Sequence, residues 1–428
     1  MGTKIAVIGG GSTYTPELVD GLVRRTDRLP VDELALLDVD GERLEIVGGL
    51  ARRMLEHAGW GGHLTLTLDR DEAIDGADFV LIQLRVGGQA ARLVDETLPP
   101  TYGTIGQETT GAGGFAKALR TVPMILELAE VVRHRAARTA WIVDFTNPVG
   151  IITQALLDDG HRAIGLCNVA ITLQRWAARR FGVDPDRVEL EHVGLNHLSW
   201  ERAVRVDGVD RLGELLGSEG QATADEVGLP LDELRRTHTI PSYYLRYYDR
   251  FDEVLRDQQA HPHTRASEVM EIERKLLDLY RDPTLNQKPA LLDDRGGAYY
   301  SEAAAQLIAS LHDGRGDAQV VDVRNEGALP DLAAGDVTEI LARIDRDGAH
   351  PMAVAPLAPD QRDLVLAAKR YEHLAVEAAM TGDRGTARRA LAVNPLVGGR
   401  PGGHIDVDAL LDALLQANLS YLPRFAVR

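Results

Sequence analysis

The first half of the chain alternates short, continuous apolar runs with amphipathic segments of helical period. The apolar runs cover residues 4–10, 33–39, 64–68, 78–84, 140–145 and 162–167. The helical segments between them include residues 15–26, 41–58, 114–137 and 149–159. Continuous apolar strands are typical of a sheet that is buried on both faces, and intervening helices indicate parallel crossovers. This alternation predicts an α/β fold with a Rossmann-type, doubly wound parallel sheet.

The second half has a mixed pattern. Two strands are expected within residues 188–206, and a helix is expected over residues 265–281. Further along, the sequence predicts antiparallel strands at 318–325 and 337–345 and helices at 360–380 and 406–418. We therefore expect a Rossmann domain at residues 1–168 and a mixed α/β domain at residues 169–428.

Composition and charge exclude several classes of function. The 428 residues carry a formal net charge of −18, which opposes binding to nucleic acid or anionic membranes because phosphate contacts need clustered Lys and Arg. No apolar stretch approaches the roughly 20 residues of a membrane span, and the first apolar run is too short for a signal peptide. The single cysteine fits a reducing compartment. The sequence therefore predicts a cytoplasmic protein with no nucleic acid and no membrane as a partner.

A glycine-rich turn follows the first predicted strand, in the stretch KIAVIGGGSTYTPEL. Gly9 and Gly11 lack a Cβ, so the backbone can approach a diphosphate there, and the next helix offers free N–H groups to the anion. Ser12 and Thr13 add hydroxyl donors. Tyr14 stands where the fingerprint G-x-G-x-x-G has its third glycine, so the match is partial. The strand–turn–helix context nevertheless predicts a dinucleotide site.

An acidic residue follows the second predicted strand. Asp38 lies in ALLDVD, where an acid accepts hydrogen bonds from the adenosine ribose. An acid at this place favours NAD over its 2′-phosphorylated form. The alternative is that Asp38 caps the next helix.

Polar residues also follow later strands. Asn147 lies in WIVDFTNPVG, where it would be close to the nicotinamide ribose of a bound dinucleotide. Cys167 and Asn168 end the sixth predicted strand, and His197 lies in HVGLNHLSW. A thiolate and an imidazole are too few for a structural zinc site, but they suit an open site completed by substrate oxygens and water. The alternative is a buried structural cysteine beside a core histidine.

Tyrosines form a further candidate group in IPSYYLRYYDRF. A helix that begins after Pro241 would place Tyr244, Tyr247 and Tyr248 on one face and Tyr243 elsewhere. Aromatic packing accounts for most of these side chains. A phenol whose pKa is depressed by a nearby metal can also act as a base.

Four arginines lie in polar stretches that contain glycine or small residues and that the sequence predicts as loops. They are Arg85, Arg92, Arg265 and Arg295. In an acidic protein, arginines placed in this way are candidates for binding an anionic substrate.

Taken together, these stretches resemble one known family. The matching segments, in order along the chain, are GGGSTYTPEL, LRVGGQAAR, GQETTGAGGFAKALRTVP, FTNPVG, GLCNV, GLNHLSW, IPSYYLRYY, RGGAYYSEAA and LLDALLQANLSYLPRF. The sequence is similar to the NAD- and metal-dependent glycosidases of glycoside hydrolase family 4, in the 6-phospho-β-glucosidase branch. The resemblance implies a fold like that of lactate and malate dehydrogenases.

The resemblance also implies a role for each candidate residue. Cys167 and His197 would hold a divalent metal, typically Mn²⁺, together with O2 and O3 of the sugar. NAD⁺ would be bound by Gly9, Gly11, Ser12, Thr13, Asp38 and Asn147. In the implied mechanism NAD⁺ oxidises C3, Tyr244 removes the C2 proton, the enolate expels the aglycone, water adds and the hydride returns, with net retention. This chemistry differs from the two-carboxylate scheme of most glycosidases.

The implied substrate is a phosphorylated β-glucoside, such as cellobiose 6-phosphate, bound by Arg92, Asn147, Asn168 and Arg265. Relatives that act on α-glycosides tend to carry Asp after the cysteine, and the amide of Asn168 cannot protonate a leaving group, which favours the β linkage. Ala170 replaces the proline that is usual in this branch. Family members are usually dimers or tetramers, so we expect a homodimer or homotetramer.

Two other interpretations stay open. The chain could be a glycosidase of the same family with another specificity, for an α-linked or non-phosphorylated sugar. It could also be a plain NAD-dependent dehydrogenase, which would use a His–Asp pair and would not need Cys167 with a metal. In the favoured interpretation, residues 1–168 bind NAD⁺, residues 169–428 bind substrate and metal, and the active site lies in the cleft that they share.

Overall fold

The computed structural model describes residues 2–261, 263–297, 299–400 and 402–425. The strands are β1 (Thr3–Ile8), β2 (Val31–Leu37), β3 (His63–Thr67), β4 (Phe79–Ile82), β5 (Trp141–Asp144), β6 (Ala163–Gly165), β7 (Val188–Leu195), β8 (Leu198–Val206), β9 (Val209–Asp210), β10 (Ile240–Pro241), β11 (Asp317–Arg324), β12 (Val337–Asp345) and β13 (Gly348–Pro351). The helices are α1 (Thr15–Val23), α2 (Gly41–His57), α3 (Arg70–Ile74), α4 (Gly88–Thr101), α5 (Gly111–Arg135), α6 (Val149–Asp158), α7 (Val169–Phe181), α8 (Leu212–Leu216), α9 (Gly220–Val227), α10 (Leu231–Thr237), α11 (Arg246–Asp249), α12 (Phe251–Ala260), α13 (Arg265–Tyr280), α14 (Leu291–Asp294), α15 (Tyr300–Asp313), α16 (Pro359–Thr381), α17 (Arg384–Val393) and α18 (Val407–Ala417). Short 3-10 turns lie at Pro185–Arg187, Tyr243–Leu245 and Leu419–Tyr421.

The larger sheet has the strand order β13-β12-β11-β6-β5-β4-β1-β2-β3. Its part from β3 to β6 is parallel throughout, in the order of a doubly wound dinucleotide-binding fold. Helices cover both faces. Ala6 and Ile8 of β1 belong to an apolar cluster with α5, α6 and α16, whereas Ile5 and Val7 belong to a cluster with α1, α2 and α15. The predicted Rossmann-type sheet is confirmed.

The predicted antiparallel strands of the second half also form, but they extend the first sheet. β11 and β12 pair along their full length, and Asp322 of β11 pairs with Gly165 of β6. The sequence pattern shows that these strands are apolar, but the sheet edge that they join depends on contacts distant along the chain. The division of the chain between residues 168 and 169 stays a prediction.

The smaller sheet contains β7, β8, β9 and β10. β7 and β8 form an antiparallel hairpin, and its two connecting residues are Asn196 and His197. Thr338 Oγ1 on β12 donates a hydrogen bond of 2.6 Å to the carbonyl of Gly194 on β7, which ties the hairpin to the larger sheet. A Cβ built on Gly150, at the start of α6, would lie 3.4 Å from the Cβ of Asn196. The hairpin turn therefore faces the carboxyl end of β5.

The prediction that Arg92 lies in a loop is wrong, because this residue lies on α4. Gly87 and Gly88 have φ angles of 80° and 60°, and these left-handed residues make the turn that leads into the helix. Arg265 likewise is the first residue of α13 rather than part of a loop. Among the described helices, none combines the length and the apolar character needed to cross a membrane.

Candidate active site

The glycine turn packs too closely for side chains. A Cβ on Gly9, whose φ is 90°, would lie 3.0 Å from the carbonyl oxygen of Gln83, and a Cβ on Gly10 would lie 2.7 Å from the Cβ of Leu36. At Gly11 a Cβ would lie 2.8 Å from Asp38 Oδ2. The turn at the carboxyl end of β1 therefore has no side chains over its backbone N–H groups, as a diphosphate site requires.

Asp38 lies directly against this turn. Its Oδ2 accepts a hydrogen bond of 2.8 Å from the N–H of Gly11, and its Oδ1 accepts one of 2.8 Å from the N–H of Val39. The residue that caps α2 is Asp40, which accepts from the N–H of Arg43. The alternative that Asp38 caps this helix is therefore wrong, and its carboxylate lies against the glycine turn.

Apolar side chains lie exposed next to Asp38. Val39 is 99% exposed and Leu68, which follows β3, is 62% exposed. A Cβ on Gly41 would contact Leu68 at 3.5 Å, so both side chains border the start of α2. Exposed apolar surface beside a carboxylate that is predicted to bind ribose suits a flat adenine ring.

The Thr13 hydroxyl, which the sequence predicts as a donor to the cofactor, makes contacts within the protein. Thr13 is buried, and its Oγ1 accepts a hydrogen bond of 2.8 Å from Arg295 Nε. Arg295 also pairs with Glu273 at 3.0 Å, and Glu273 pairs with Arg43, whose Nε donates to the carbonyl of Gly11 at 2.7 Å. These contacts hold α13 and the segment around Arg295 against the glycine turn. The hydroxyl of Ser12 instead accepts from the N–H of Tyr14.

Cys167 lies just beyond β6 and is buried. The hydroxyl of Tyr300 is 4.0 Å from its Sγ. Burial raises the pKa of the Cys167 thiol, and the charge on Glu339 adds to the increase. A thiol of this kind ionises when a cation binds it.

His197 occupies the second position of the hairpin turn with a φ of 63°. Its Nδ1 lies 2.9 Å from Thr109 Oγ1, while the Thr109 hydroxyl donates to Gln107 Oε1 at 2.7 Å. The Thr109 oxygen therefore accepts from Nδ1–H, and Nε2 keeps its lone pair. Burial lowers the pKa of His197 to about 4, so the ring is neutral at pH 7, the form that ligates metals.

The ring of Tyr244 stacks on His197, with centroids 3.6 Å apart and an interplanar angle of 8°. Burial raises the pKa of Tyr244, and the charge on the Cys167 sulfur acts in the same direction. Tyr244 therefore lies against one predicted metal ligand and close to the other. One neutral imidazole and one thiol that must ionise are a donor set that fits a divalent transition metal with open positions.

A separate acidic group on the surface brings together Glu130, Asp159 and His161. The guanidinium of Arg133 already lies 3.1 Å from His161 Nε2 and 3.3 Å from Glu130. This group shares no residue with the predicted metal site.

Cationic side chains surround the buried carboxylate of Glu108. Arg85 and Lys117 both hydrogen-bond its Oε2, and Arg92 Nε lies 3.1 Å from Oε1. Burial opposes the charge on Glu108, but Arg85, Lys117 and Arg92 outweigh it and hold the pKa of Glu108 well below its usual range. Burial, together with the charge on Arg85, lowers the pKa of Lys117 to about 7. The cluster has more cations than anions and suits an anionic ligand.

Glu96 brings the two predicted phosphate-binding arginines into one region. Its Oε1 accepts from Arg92 Nε at 2.7 Å, and its Oε2 accepts from the N–H of Ala266 at 2.8 Å. Arg265, next to Ala266, is exposed and donates to the carbonyl of Asp294 at 2.7 Å. The contact through Glu96 joins α4 to the start of α13.

The two predicted asparagines lie at successive strand ends. Asn147 follows β5, precedes Pro148 through a cis peptide bond, and its buried Oδ1 has no hydrogen-bond partner among the described residues. Such an oxygen is available to a ligand. Asn168 is the N-cap residue of α7, and Ala170 is buried in the first turn of that helix. The helix therefore starts at Val169 without the proline that Ala170 replaces.

Several residues of the pocket were not singled out from the sequence. Glu108, Thr109 and Lys117 lie in GQETTGAGGFAKALRTVP, and Tyr300 lies in RGGAYYSEAA. Both stretches contributed to the resemblance, but no spacing within them distinguishes a pocket residue from a packed one. Lys117 lies within GAGGFAKAL, a stretch of small and apolar residues, and a Lys in such a buried helix needs a charged partner, which is the signal that could have found the Glu108 pair.

Comparison with known proteins places the whole chain in one family. A model described as family 4 glycosyl hydrolase matches residues 4–182, and a model of the C-terminal domain of this family matches residues 192–397. A probable 6-phospho-β-glucosidase of Bacillus subtilis is 43% identical over 99% of this chain and 98% of its own length. The 6-phospho-β-glucosidase of Escherichia coli is 37% identical over 99% of this chain and 97% of its own length.

Solved structures agree with this result. The 6-phospho-β-glucosidase of Thermotoga maritima, solved with manganese, NAD⁺ and glucose-6-phosphate, superposes with a TM-score of 0.91 at 35% identity, over 98% of this chain and 99% of the other. Malate dehydrogenase of Plasmodium falciparum superposes with a TM-score of 0.53 at 15% identity, over 88% of this chain and 98% of the other. The second likeness shows the fold alone and confirms the predicted resemblance to malate dehydrogenases.

Proposed function

Because this chain belongs to the family 4 glycosyl hydrolases, we propose that it hydrolyses 6-phospho-β-glucosides and requires NAD⁺ and a divalent metal such as Mn²⁺. The observation that carries the proposal is that the half-buried Tyr244 stacks on the buried His197 and lies close to the buried Cys167. These residues lie beyond the carboxyl ends of the strands, where doubly wound folds bind their ligands.

The contacts support the proposed roles of the residues that bind the cofactor and the metal. Gly9 and Gly11 leave room for the diphosphate, and Asp38 accepts hydrogen bonds from the adenosine ribose. Cys167 and His197 hold the metal through Sγ and Nε2. When bound, NAD⁺ would take a hydride from C3 of the sugar and later return it. The metal would polarise the C3 carbonyl that is present between these two steps.

Tyr244 is the proposed base that takes the proton from C2. The phenol is neutral in the buried pocket because burial raises its pKa, and a cation bound beside its ring would favour the phenolate. Stacking on His197 fixes the ring, so the oxygen keeps one position relative to the sugar. Removal of the C2 proton leaves an enolate, and this enolate expels the aglycone from C1.

The sugar phosphate is proposed to bind between Arg92 and Arg265, which the Glu96 contact holds in one region. Asn147 offers its unpartnered Oδ1 to a ligand hydroxyl, and Asn168 lies beside the metal ligands at the start of α7. An amide at Asn168 cannot protonate the leaving group, which supports the β linkage rather than the α linkage.

We also propose a cytoplasmic location and a homodimeric or homotetrameric state. The unpaired Cys167 must stay reduced to bind metal, which supports a reducing compartment. The oligomeric state follows from family resemblance, and light scattering on the purified protein tests it.

A panel of nitrophenyl glycosides tests the proposed function. The panel contains α- and β-glucosides, each with and without a 6-phosphate, assayed with and without NAD⁺, Mn²⁺ and a thiol reductant. We expect release of nitrophenol from the 6-phospho-β-glucoside alone, only when NAD⁺ and Mn²⁺ are both present, and with no accumulation of NADH. NADH that rises in step with substrate consumed would instead indicate a plain dehydrogenase.

A further inference from the structure

A chain of buried polar side chains lies behind the hairpin turn that carries His197. Glu201 Oε1 is 2.7 Å from His192 Nδ1, and His192 Nε2 is 2.9 Å from Glu339 Oε2. All three side chains are almost completely excluded from solvent. They come from three different strands, β7, β8 and β12. The hydrogen bonds between these side chains therefore join the small sheet to the large one.

This polar chain ends at the turn itself. Glu339 Oε1 accepts a hydrogen bond of 3.1 Å from Asn196 Nδ2. Asn196 directly precedes His197 in the hairpin turn. A single amide therefore connects Glu339 to the turn that carries a predicted metal ligand.

The polar chain formed by Glu201, His192 and Glu339 carries a net negative charge. Burial opposes the charge on His192, but Glu201 and Glu339 outweigh it and raise the pKa of His192 to about 10. One imidazolium between two carboxylates leaves one unbalanced negative charge. Nearby, Lys369 pairs with Glu372 at 2.5 Å, and burial raises the pKa of Asp322, which favours its neutral form.

Buried ionic chains of this kind seldom add stability. Removing charged groups from water costs several kcal/mol per ion, and well-packed apolar residues of similar volume are often as stable or more stable. The Glu–His–Glu chain lies next to the hairpin turn, in which His197 has a positive φ. Its presence is therefore better explained by a role in holding this turn in place than by a gain in stability. Groups that hydrogen-bond around metal ligands orient them and tune their affinity.

We propose that Glu339 is a positioning residue for the metal site, with His192 and Glu201 holding it in place. Through Asn196 it fixes the turn that carries His197, and its negative charge favours a divalent cation at the predicted metal site. This inference rests on the proposed function, because it assumes that Cys167 and His197 bind the metal.

Metal affinity, rather than activity, provides the test. Mn²⁺ is titrated into the full-length protein with saturating NAD⁺, and free Mn²⁺ is followed by electron paramagnetic resonance. Glu339→Gln keeps an oxygen for Asn196 but removes the charge, and we expect it to weaken Mn²⁺ binding about tenfold or more. Asn196→Ala removes the connecting amide, and we expect a loss of similar size. The matched control is Asp95→Asn, which neutralises another buried carboxylate, paired with Arg120, and should leave Mn²⁺ affinity unchanged.

Two further readouts separate positioning from loss of folding. The NAD⁺ dissociation constant should stay close to the wild-type value in Glu339→Gln, while the thiolate-to-metal absorption band of the Co²⁺-loaded protein should shift or weaken. If Glu339→Gln does not fold, Asn196→Ala on the hairpin turn decides the question. Wild-type Mn²⁺ affinity and an unchanged Co²⁺ band in the folded variant would overturn the positioning role.

The same titration keeps this inference distinct from the proposed function. If Cys167→Ser loses Mn²⁺ binding while Glu339→Gln and Asn196→Ala bind it normally, the metal site stands and the positioning role fails. If Cys167→Ser binds Mn²⁺ as tightly as the wild type, the proposed metal site itself is wrong, and the inference fails with it.

Discussion

The dinucleotide half and the metal half of the pocket are built in different ways. The glycine turn and Asp38 come from two neighbouring strands within the first 38 residues, and backbone packing shapes the turn. The metal half joins Cys167, His197 and Tyr244, and these residues follow strand ends in two different sheets. The first half depends on local backbone geometry, whereas the second depends on side chains that distant segments bring together. Variants should therefore separate cofactor binding from chemistry.

The largest expected effect is the loss of a metal ligand. Cys167→Ser and His197→Ala should each lower kcat/KM for the 6-phospho-β-glucoside by about 10⁴-fold or more, since the metal supplies several kcal/mol of charge stabilisation. NAD⁺ binding, measured by titration calorimetry, should change less than about twofold because the glycine turn is separate. Loss of NAD⁺ affinity in a folded variant would contradict the division into two halves.

The next effect distinguishes the two tyrosines near Cys167. Tyr244→Phe should lower kcat by about 10²- to 10⁴-fold, which is the range for loss of a general base. Tyr300→Phe is the matched control because its hydroxyl also lies near the sulfur, at 4.0 Å. We expect a smaller loss in that variant. Steady-state kinetics of both proteins provide the comparison, and a reversed order would assign the base to Tyr300.

A side chain added in the glycine turn should lower the affinity for NAD⁺ moderately and leave the affinity for Mn²⁺ unchanged. Gly11→Ala places a Cβ 2.8 Å from Asp38 Oδ2, so the turn or the carboxylate must shift. We expect the dissociation constant for NAD⁺ to rise about tenfold, close to 1.4 kcal/mol. Mn²⁺ affinity should stay within about twofold of the wild-type value. Equal losses for both ligands would show that the halves are coupled.

The smallest expected effect is on thermal stability and involves a buried carboxyl group at the end of β5. Burial raises the pKa of Asp144, at the end of β5, from 3.8 to about 8. Between these values the unfolded chain loses a proton that the folded chain keeps, so this group's contribution to stability falls as the pH rises from about 4 to about 8. Asp144→Asn should flatten the decline of Tm across this range. Parallel Tm curves for both proteins would contradict the buried, protonated form.

The comparison also explains what the sequence could predict. The doubly wound sheet and the glycine turn are visible because strand, turn and helix follow one another, so a short window contains the whole signal. Cys167 and His197 were identifiable as ligand types, but the hydrogen bonds that Thr109, Asn196 and Glu339 make around them were not. These bonds join residues that are far apart along the chain. The attachment of β11 to β6 escaped prediction for the same reason.

Hydrogen exchange at C2 of the sugar is the most direct test of the central claim, that transient oxidation next to a cation at Cys167 and His197 breaks the glycosidic bond. The wild-type protein is incubated with the 6-phospho-β-glucoside in deuterated water with NAD⁺ and Mn²⁺, and the recovered sugar phosphate is analysed by NMR. We predict deuterium at C2 in every product molecule, and no product when either NAD⁺ or Mn²⁺ is left out. Complete hydrolysis with only protium at C2 would contradict the account.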